Sequence, residues 1–548
     1  MKTFKKALPV VGALVWALLL LPFFLGAEAA HPATDDFTFA VYTHPTWVQT
    51  GSILHVLKDA LSYTLRTWRD WQGTVTGVLI MTLNPAVFSL AHYGAHAVVL
   101  LGLILIGTRV FLQHFLQKRL NLPWRAAFAA LSAAQLLFLP DIMEGVYWFN
   151  GAWFYMGAQA VALMTLALGD SLSERPVRGA GTILAFALCW ALLFALGMDN
   201  YITAMMTAAA LLMLALWRAA AHERAAAVRT AMMLLPIGVG LLISVIAPGN
   251  SVRMAADGAH ESGLGYLLAS IGWTLRDAVK YILRFMLKTP LLALLLLALP
   301  AASRRMNERG ETGEGLPRIG FTLLGGYLML CAMIIPHMYS SGYAGSGRVI
   351  NMYHSYVLLF APVVCMMALA RVRPEKRAAL AAGRGKIACF ALAAAALAVC
   401  LCGGQLRNYE KLVSDQLDGT QDAYIAPLYD VKPDDPDFAM LQRIAATGIL
   451  RMTGEPFQWA NRTWFYPERG ISVGEFSRGL HDYAPQVEVS DDPAPLTASS
   501  AAAMLRKAGA AVAADGTEPL TRREAARMTD EALHPFDRDV DFEGNLIK

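Results

Sequence analysis

Residues 7–27 read ALPVVGALVWALLLLPFFLGA, with Lys2, Lys5 and Lys6 just ahead of them. No charge interrupts the run, and ~20 apolar residues in a helix cross the ~30 Å hydrocarbon layer of a bilayer. This stretch decides the fold because blocks like it recur. They occupy 87–112, 126–141, 152–170, 180–197, 201–217, 230–247, 286–302, 319–337, 351–370 and 387–403. The sequence therefore predicts an all-α polytopic membrane protein of eleven spans. The second span has room to begin a few residues later, and a mixed polar stretch leads into the eighth. A basic start and small residues at Ala27–Ala30 also suit a cleaved signal peptide, but the apolar run exceeds an h-region of ~7–15 residues and favours a retained helix.

Composition agrees with the blocks. The chain has 548 residues, 56% of them hydrophobic and only 16% charged, which excludes a string of soluble domains. All six cysteines (Cys189, Cys331, Cys365, Cys389, Cys400 and Cys402) lie in apolar blocks, so neither a disulfide framework nor a zinc pattern is expected. The net charge of +4 conceals an asymmetry: residues 404–548 carry 24 acidic and 15 basic residues, the rest 18 and 31. A basic membrane body with an acidic appendage implies a lipid bilayer as partner and offers nothing for nucleic acid.

Lys and Arg in short loops mark the cytoplasmic side. Beyond the N-terminal lysines, alternate loops carry Lys118, Arg119 and Arg125; Arg175 and Arg178; Arg218, Arg224 and Arg229; Arg304, Arg305, Arg309 and Arg318; and the basic set from Arg371 to Lys386. The intervening loops are poorer in positive charge. The N-terminus is thus expected inside and, after an odd number of spans, the acidic tail outside a bacterial cytoplasmic membrane.

Polar residues gather at the outer span ends. Asp35 and Asp36 follow the first span in a long loop, 28–86. That loop holds an amphipathic run from Ile53 to Trp71, with Leu54, Leu57, Leu61 and Leu65 at helical spacing and Arg66, Trp68 and Arg69 at its end. Such a helix lies in the membrane interface. Asp141, Glu144, Tyr147, Trp148 and Asn150 join the third and fourth spans. Asp199 and Asn200 turn between the fifth and sixth, Asn250 and Arg253 follow the seventh, and His337, Tyr339, Tyr343, Arg348 and Asn351 surround the ninth-to-tenth turn. A second amphipathic stretch, Leu264–Leu287, carries Arg276, Lys280 and Arg284. Taken singly, each is a common interface or turn residue. Together they predict one outward cavity with acidic and cationic groups.

The chemistry they suit is transfer from a phosphate-activated, membrane-held donor. A carboxylate, Asp35 or Asp36, acts as general base toward an acceptor hydroxyl or holds a divalent metal, the one candidate cofactor. Arginines grip phosphate oxygens in bidentate fashion and stabilise the departing phosphate. Arg66, Arg69, Glu144, Trp148, Asn150, Asp199, Asn200, Asn250, Arg253 and Arg348 are the candidate substrate contacts. The chain has no HExxH, Walker A, GxGxxG or nucleophile-elbow motif to support a competing chemistry.

The arrangement resembles the C-type fold of polyprenyl-phosphate-dependent glycosyltransferases, which place an acidic residue in the first outer loop soon after the first span. More closely, it resembles a family of bacterial polytopic membrane proteins related to that fold. The residues that carry this are Asp35-Asp36-Phe37, Glu144-Gly-Val-Tyr-Trp-Phe-Asn-Gly151, Ala247-Pro-Gly-Asn250 with Arg253, and Gly347-Arg348. The resemblance covers residues 1–403. It implies a polyprenyl-phosphate sugar donor and a catalytic role for Asp35 or Asp36.

Beyond a linker at 404–427, residues 428–548 lose the long apolar runs. Phe438–Ile449 is echoed by Ala502–Gly509, and Pro467–Phe476 by Glu518–Ala525. Each unit reads as a helix, a loop and a second helix opened by a Ser/Thr-x-x-Glu capping box. The pattern resembles S-layer homology repeats, about two of them, through Tyr429-Asp-Val431, Gly448-Ile449, Phe465-Tyr-Pro467 and Leu520-Thr-Arg522. That implies a helical extracytoplasmic domain and a cell-wall polymer as partner. Ile471-Ser-Val-Gly-Glu475 departs from the Thr-Arg pair of those repeats, and the second unit lacks the opening aromatic-Asp element.

Two other functions compete. A transporter or flippase of an envelope precursor places its essential polar groups near the bilayer midplane, in broken helices and inverted repeats. A non-catalytic cell-wall tether needs the tail and tolerates changes at Asp35, Glu144 and Arg253.

Overall fold

The computed structural model describes residues 2–535 apart from 34, 123, 257–262, 314–315, 346, 403–427, 429, 432–434 and 458–459. The predicted linker 404–427 and Tyr429 therefore lie outside the described residues. The chain divides into two compact units, Met1–Leu417 and Asp418–Lys548.

The first unit is helical. It opens with α1 (Lys2–Leu25) and four shorter helices in the first long loop: α2 (Asp35–Ala40), α3 (His44–Thr50), α4 (Ile53–Asp70) and α5 (Val75–Met81). Then come α6 (Ala95–Leu112), α7 (Trp124–Leu137), the single turn α8 (Phe149–Ala152), α9 (Ala158–Ser173), α10 (Ala180–Gly197) and α11 (Tyr201–Ala220). Helices α12 (Arg224–Met232), α13 (Leu234–Val245), α14 (Gly249–Ala256), α15 (Leu264–Lys288) and α16 (Leu291–Glu308) follow. The unit closes with α17 (Ile319–Ser341), α18 (Gly347–Ala370), α19 (Pro374–Ala381) and α20 (Gly383–Cys402).

By length and composition, nine helical stretches among the described residues are apolar enough to cross a membrane, and ten if the pair α15–α16, bent by 69°, is one broken span. The third expected span, 126–141, is a helix of only 14 residues. It falls short because the chain leaves helix at Phe138, ahead of Pro140. The expected eighth span, 286–302, straddles the break between α15 and α16. Multi-pass character itself is evident from the outer surfaces, where Leu14, Leu18, Leu184, Leu216, Leu242, Leu324 and Ile387 stay exposed and suit lipid contact.

Polar clusters pin both ends of the central helices. At one end, the α6 approach residue Tyr93 bonds Asp36 and the backbone of Phe149, while Asn200 at the start of α11 bonds Phe154 O. At the other, His114 beyond α6, Asp170 on α9 and Arg218 on α11 form a buried knot: His114 Nε2 lies 2.6 Å and Arg218 Nη2 2.7 Å from the Asp170 carboxylate. About 21 residues separate the clusters along α6 and α9, roughly 30 Å at 1.5 Å per residue. Helix α7 returns from the second cluster to the first, reaching Asp141, whose backbone N–H meets Asn351 Oδ1 at 2.9 Å.

The second unit packs α21 (Phe438–Ala446), α22 (Val473–Tyr483), α23 (Ala498–Lys507) and α24 (Arg522–Leu533) around one apolar core, with a hairpin of β1 (Thr453–Phe457) and β2 (Ala460–Trp464) between α21 and α22 in the chain. Three related cap segments recur in this unit. Ser472, Thr497 and Thr521 each cap a helix with a side-chain oxygen. Their flanking strands pair in a closed triangle: Gly470 with Thr521, Ser472 with Pro495, Thr497 with Pro519. Arg522 is buried at this junction. Its Nε and Nη2 donate to Phe465 O and Arg451 O, both at 2.7 Å, and Nη1 pairs with Glu475. Asp435 and Asp437, beside the start of α21, are held below the usual carboxylate range by hydrogen bonds from Arg523.

Candidate functional site

The stretch 141–157 builds one wall of the site. It runs as a π-turn (Met143–Tyr147), an extended break at Trp148, α8, then a second π-turn (Trp153–Gly157). Each π-turn inserts a residue into the helical count and swings the following side chains around the axis. As a result Trp148, Asn150, Phe154 and Tyr155 all reach a single cavity of about 470 Å³.

The opposite wall is α4. Tyr63, Thr67 and Trp71 recur every fourth residue and line the cavity, while Leu54, Leu57, Leu61 and Leu65 stay exposed on the other face. The end of α4 is clasped to the α13–α14 turn. Gly73 and Gly249 permit backbone contact there: a Cβ on Gly73 would lie 1.9 Å from Ser244 O, and one on Gly249 2.4 Å from Trp71 N. Asn250 completes the clasp, accepting from Gly73 N at 3.0 Å and Tyr201 Oη at 3.2 Å and donating to Ser244 O at 2.8 Å. This places Gln72 against Arg253, whose Nη1 donates to Gln72 Oε1 at 2.5 Å. Asp35, Thr38 and Phe39 of α2, Met81 of α5 and Arg348 of α18 complete the lining.

Arg348 is held by three neighbours. Its guanidinium lies over the Trp148 ring at 4.8 Å and the Tyr155 ring at 5.9 Å, and its backbone N–H donates to Glu144 Oε2 at 2.7 Å. The Glu144 carboxylate also lies 3.8 Å from Arg348 Nη1. It thus sits on the N-terminus of a 24-residue helix, where the dipole favours negative charge. Gly347 is required for that seat, because a Cβ there would lie 1.8 Å from Glu144 Oε2. Asp141 supports the arrangement by accepting from Glu144 N at 3.0 Å. Burial pushes its carboxyl up to about 6, with the Glu144 charge adding to the rise.

Asp35 and Asp36 take different places. Asp35 is exposed to the cavity. Asp36 is fully buried beneath it, its carboxylate accepting from Tyr93 Oη at 2.5 Å, Ala33 N at 3.0 Å and Asn150 N at 3.2 Å. Burial pushes its carboxyl up to about 7 against the pull of those donors. Asp36 therefore stitches α2 to Tyr93 and α8 and presents no oxygen to a ligand. Asn150 does present groups: its side chain is 2% exposed, and neither Oδ1 nor Nδ2 has a partner. A buried amide with both ends unmatched is costly unless a ligand or water meets it.

Of the twelve residues expected from sequence, Asp35, Trp148, Asn150, Arg253 and Arg348 converge on the cavity, with Glu144 directly behind Arg348. Arg66 and Arg69 do not line it. Arg66 instead covers the rings of Tyr42, at 4.2 Å, and Tyr63. Asp199, Asn200 and Asn250 serve backbone turns: Asn200 caps α11 through Thr203 N at 2.7 Å. Asp199 is buried behind the cavity-lining Phe154, and its carboxyl is pushed up by burial to about 7. Tyr63, Thr67, Trp71, Gln72 and Tyr155 escaped the sequence reading. The four-residue spacing of Tyr63, Thr67 and Trp71, opposite the leucine stripe, was the available signal.

The lining holds two guanidinium groups, one exposed carboxylate, two amides and six aromatic rings. It can bind an anion through paired arginines, stack a ring-shaped or glycosidic group, and offer a carboxylate to a hydroxyl. Among the described residues, no group of three or more His, Cys, Asp or Glu side chains is placed to hold a metal ion. No protein-family model, curated protein or solved structure matches the chain.

Proposed function

We propose that this chain is a membrane-embedded glycosyltransferase of C-type architecture, taking a sugar from a polyprenyl-phosphate donor to an envelope acceptor. The convergence of Asp35, Arg253, Arg348 and the unpartnered Asn150 amide in one cavity carries this reading. Arg253 and Arg348 hold the donor phosphate, and the aromatic walls stack the sugar. Asp35 accepts the acceptor hydroxyl proton as the glycosidic bond forms and the phosphate departs. Glu144 positions Arg348 through its backbone.

Counting α7 and the α15–α16 pair as crossings gives eleven, with the N-terminus inside and the cavity opening outside. The basic loops support that orientation, and so does the return of α7 to the cavity end of the bundle. The tail then lies outside, where its cap triangle suits attachment to a wall polymer.

The test is transfer of labelled sugar from a polyprenyl-phosphate donor by purified full-length variants. Asp35→Asn is expected to reduce transfer at least a hundredfold, the scale of general-base loss, at wild-type expression and melting temperature. Arg348→Ala is expected to weaken donor binding. Full activity in Asp35→Asn removes the enzymatic reading.

A further inference from the structure

A second cavity, of about 130 Å³, lies in the other half of the bundle. Phe111 on α6, Leu120 beyond it, Ala210 and Trp217 on α11, Leu316 and Pro317 ahead of α17, and Met367 on α18 are among the residues that surround it. Its place follows from helix packing. Helix α17 approaches its neighbours through two glycines: a Cβ on Gly325 would lie 2.2 Å from Met213 Sδ, and one on Gly326 2.1 Å from the Phe360 ring. Tyr356 Oη also donates to Gly326 O at 2.7 Å. Thr322, one turn before this close crossing, and Pro317, just ahead of α17, form part of the cavity wall.

The cavity reaches the protein surface, since Phe111, Met213, Trp217, Phe360 and Val363 are only half-buried. Its polar groups are committed elsewhere: the Gln159 amide donates to Met352 O at 3.3 Å. Apolar cavities of this size exclude water and take apolar guests, an engineered one of about 150 Å³ accepting benzene. A cavity in a membrane bundle that reaches the lipid-facing surface is filled by a chain from the bilayer. The rim decides which lipid. Arg371 donates to Met367 O at 3.2 Å and to Leu316 O and Pro317 O at 2.6 and 2.5 Å, so its guanidinium stands at the mouth. Exposed Arg318 follows the lining residue Pro317, and exposed Lys118 lies two residues before the lining residue Leu120.

We propose that this cavity holds the acyl chain of an anionic phospholipid, with the headgroup at Arg371 and Arg318. The bundle end that carries the His114–Asp170–Arg218 knot would thus bind a lipid distinct from anything held in the Asp35 cavity. The proposal stands whether or not the protein transfers sugars.

The test uses the full chain in nanodiscs of phosphatidylcholine and phosphatidylglycerol, with a diazirine in the acyl chain of one lipid at a time, and mass spectrometry of the adducts. Phosphatidylglycerol is expected to label residues 206–217 and 359–367 several-fold above Leu184 and Leu188, which face lipid only. Ala210→Trp, which fills the cavity, is expected to abolish that excess, and Arg371→Gln to reduce it without altering labelling at Leu184. Uniform labelling overturns the proposal. So does equal labelling by phosphatidylcholine, or an excess seen only with a diazirine polyprenyl phosphate. The wild-type adduct map decides the matter even if Ala210→Trp fails to fold.

Discussion

Replacing Gly347 with Ala tests how the cavity's arginine is held. The backbone tolerates alanine, since Gly347 is not among the glycines with positive φ. The obstacle is the 1.8 Å approach to Glu144 Oε2, with Asp141 Oδ2 also only 2.8 Å away. Glu144 must leave the helix terminus. It gives up a charge-assisted bond from Arg348 N, worth ~1.5–3 kcal/mol, and the dipole interaction, worth ~0.3–1 kcal/mol. The half-exposed contact with the Arg348 side chain adds less than ~1 kcal/mol. Alanine returns up to ~1 kcal/mol over glycine in a helix. The net loss is about 2 kcal/mol, a fall of a few degrees in the thermal midpoint of the purified protein in detergent. In a Glu144→Ala background only the 2.8 Å approach to Asp141 Oδ2 remains, which a small shift of that side chain relieves, and Gly347→Ala costs far less. The double-mutant cycle should return a coupling of about 2 kcal/mol, well above the ~0.5 kcal/mol scatter of independent sites. A Gly347→Ala protein as stable as wild type refutes this account, as does the same loss with Glu144 absent.

Three further outcomes follow from the same geometry. Asp199 has a folded pKa of about 7 against an ordinary 3.8, so its share of stability is full below pH ~4 and is lost as pH rises through 7, at most ~4 kcal/mol. Asp199→Asn should therefore flatten the fall in melting temperature between pH 5 and 8, and an unchanged slope counts against it. Asn150→Ala breaks no side-chain hydrogen bond and should leave the melting temperature within a degree or two of wild type, while donor binding weakens at least tenfold, about 1.4 kcal/mol; titration with donor checks both. Arg522→Met removes a buried cation and takes the donor from Phe465 O and Arg451 O, while Glu475 keeps Arg469 at 2.6 Å, a loss of ~2 kcal/mol or more. Limited proteolysis of the full chain should then cut the second unit faster than in wild type.

Hydropathy alone makes the multi-pass class legible, because a bilayer leaves few alternatives for apolar runs of this length. The span count is harder to read. The 126–141 block is mostly apolar, with Ser132 and Gln135 inside it, yet Pro140 and the polar segment after it end the helix early, and composition does not register that. The site was legible where residue chemistry sufficed: Asp35, Arg253, Arg348, Trp148 and Asn150 all reach the cavity. It was misleading on α4, where Arg66 and Arg69 attract attention by charge while the rotation of the helix turns Tyr63, Thr67 and Trp71 inward. Asn250 and Asn200 look like ligands in sequence, but their amides serve carbonyls and N–H groups of turns, a use of Asn that no local pattern separates from binding. In the second unit the shared Pro-Leu-Thr of 495–497 and 519–521 was available to be read. What hid the third copy was its capping partner: Thr497 is followed three residues on by Ser500, where Ser472 and Thr521 are followed by Glu475 and Glu524.

The two polar knots that bind α6, α9 and α11 at either end also act as a gauge. With roughly 30 Å of apolar helix between fixed hydrophilic stops, these rods cannot shorten to suit a thinner bilayer or slide past one another to suit a thicker one. The mismatch falls on the surrounding lipid and on the outlying helices, at fractions of a kcal/mol per ångström. The protein should accordingly accumulate in membranes whose hydrocarbon depth matches its own frame, and the broken α15–α16 pair at its edge is the part best able to absorb the remainder.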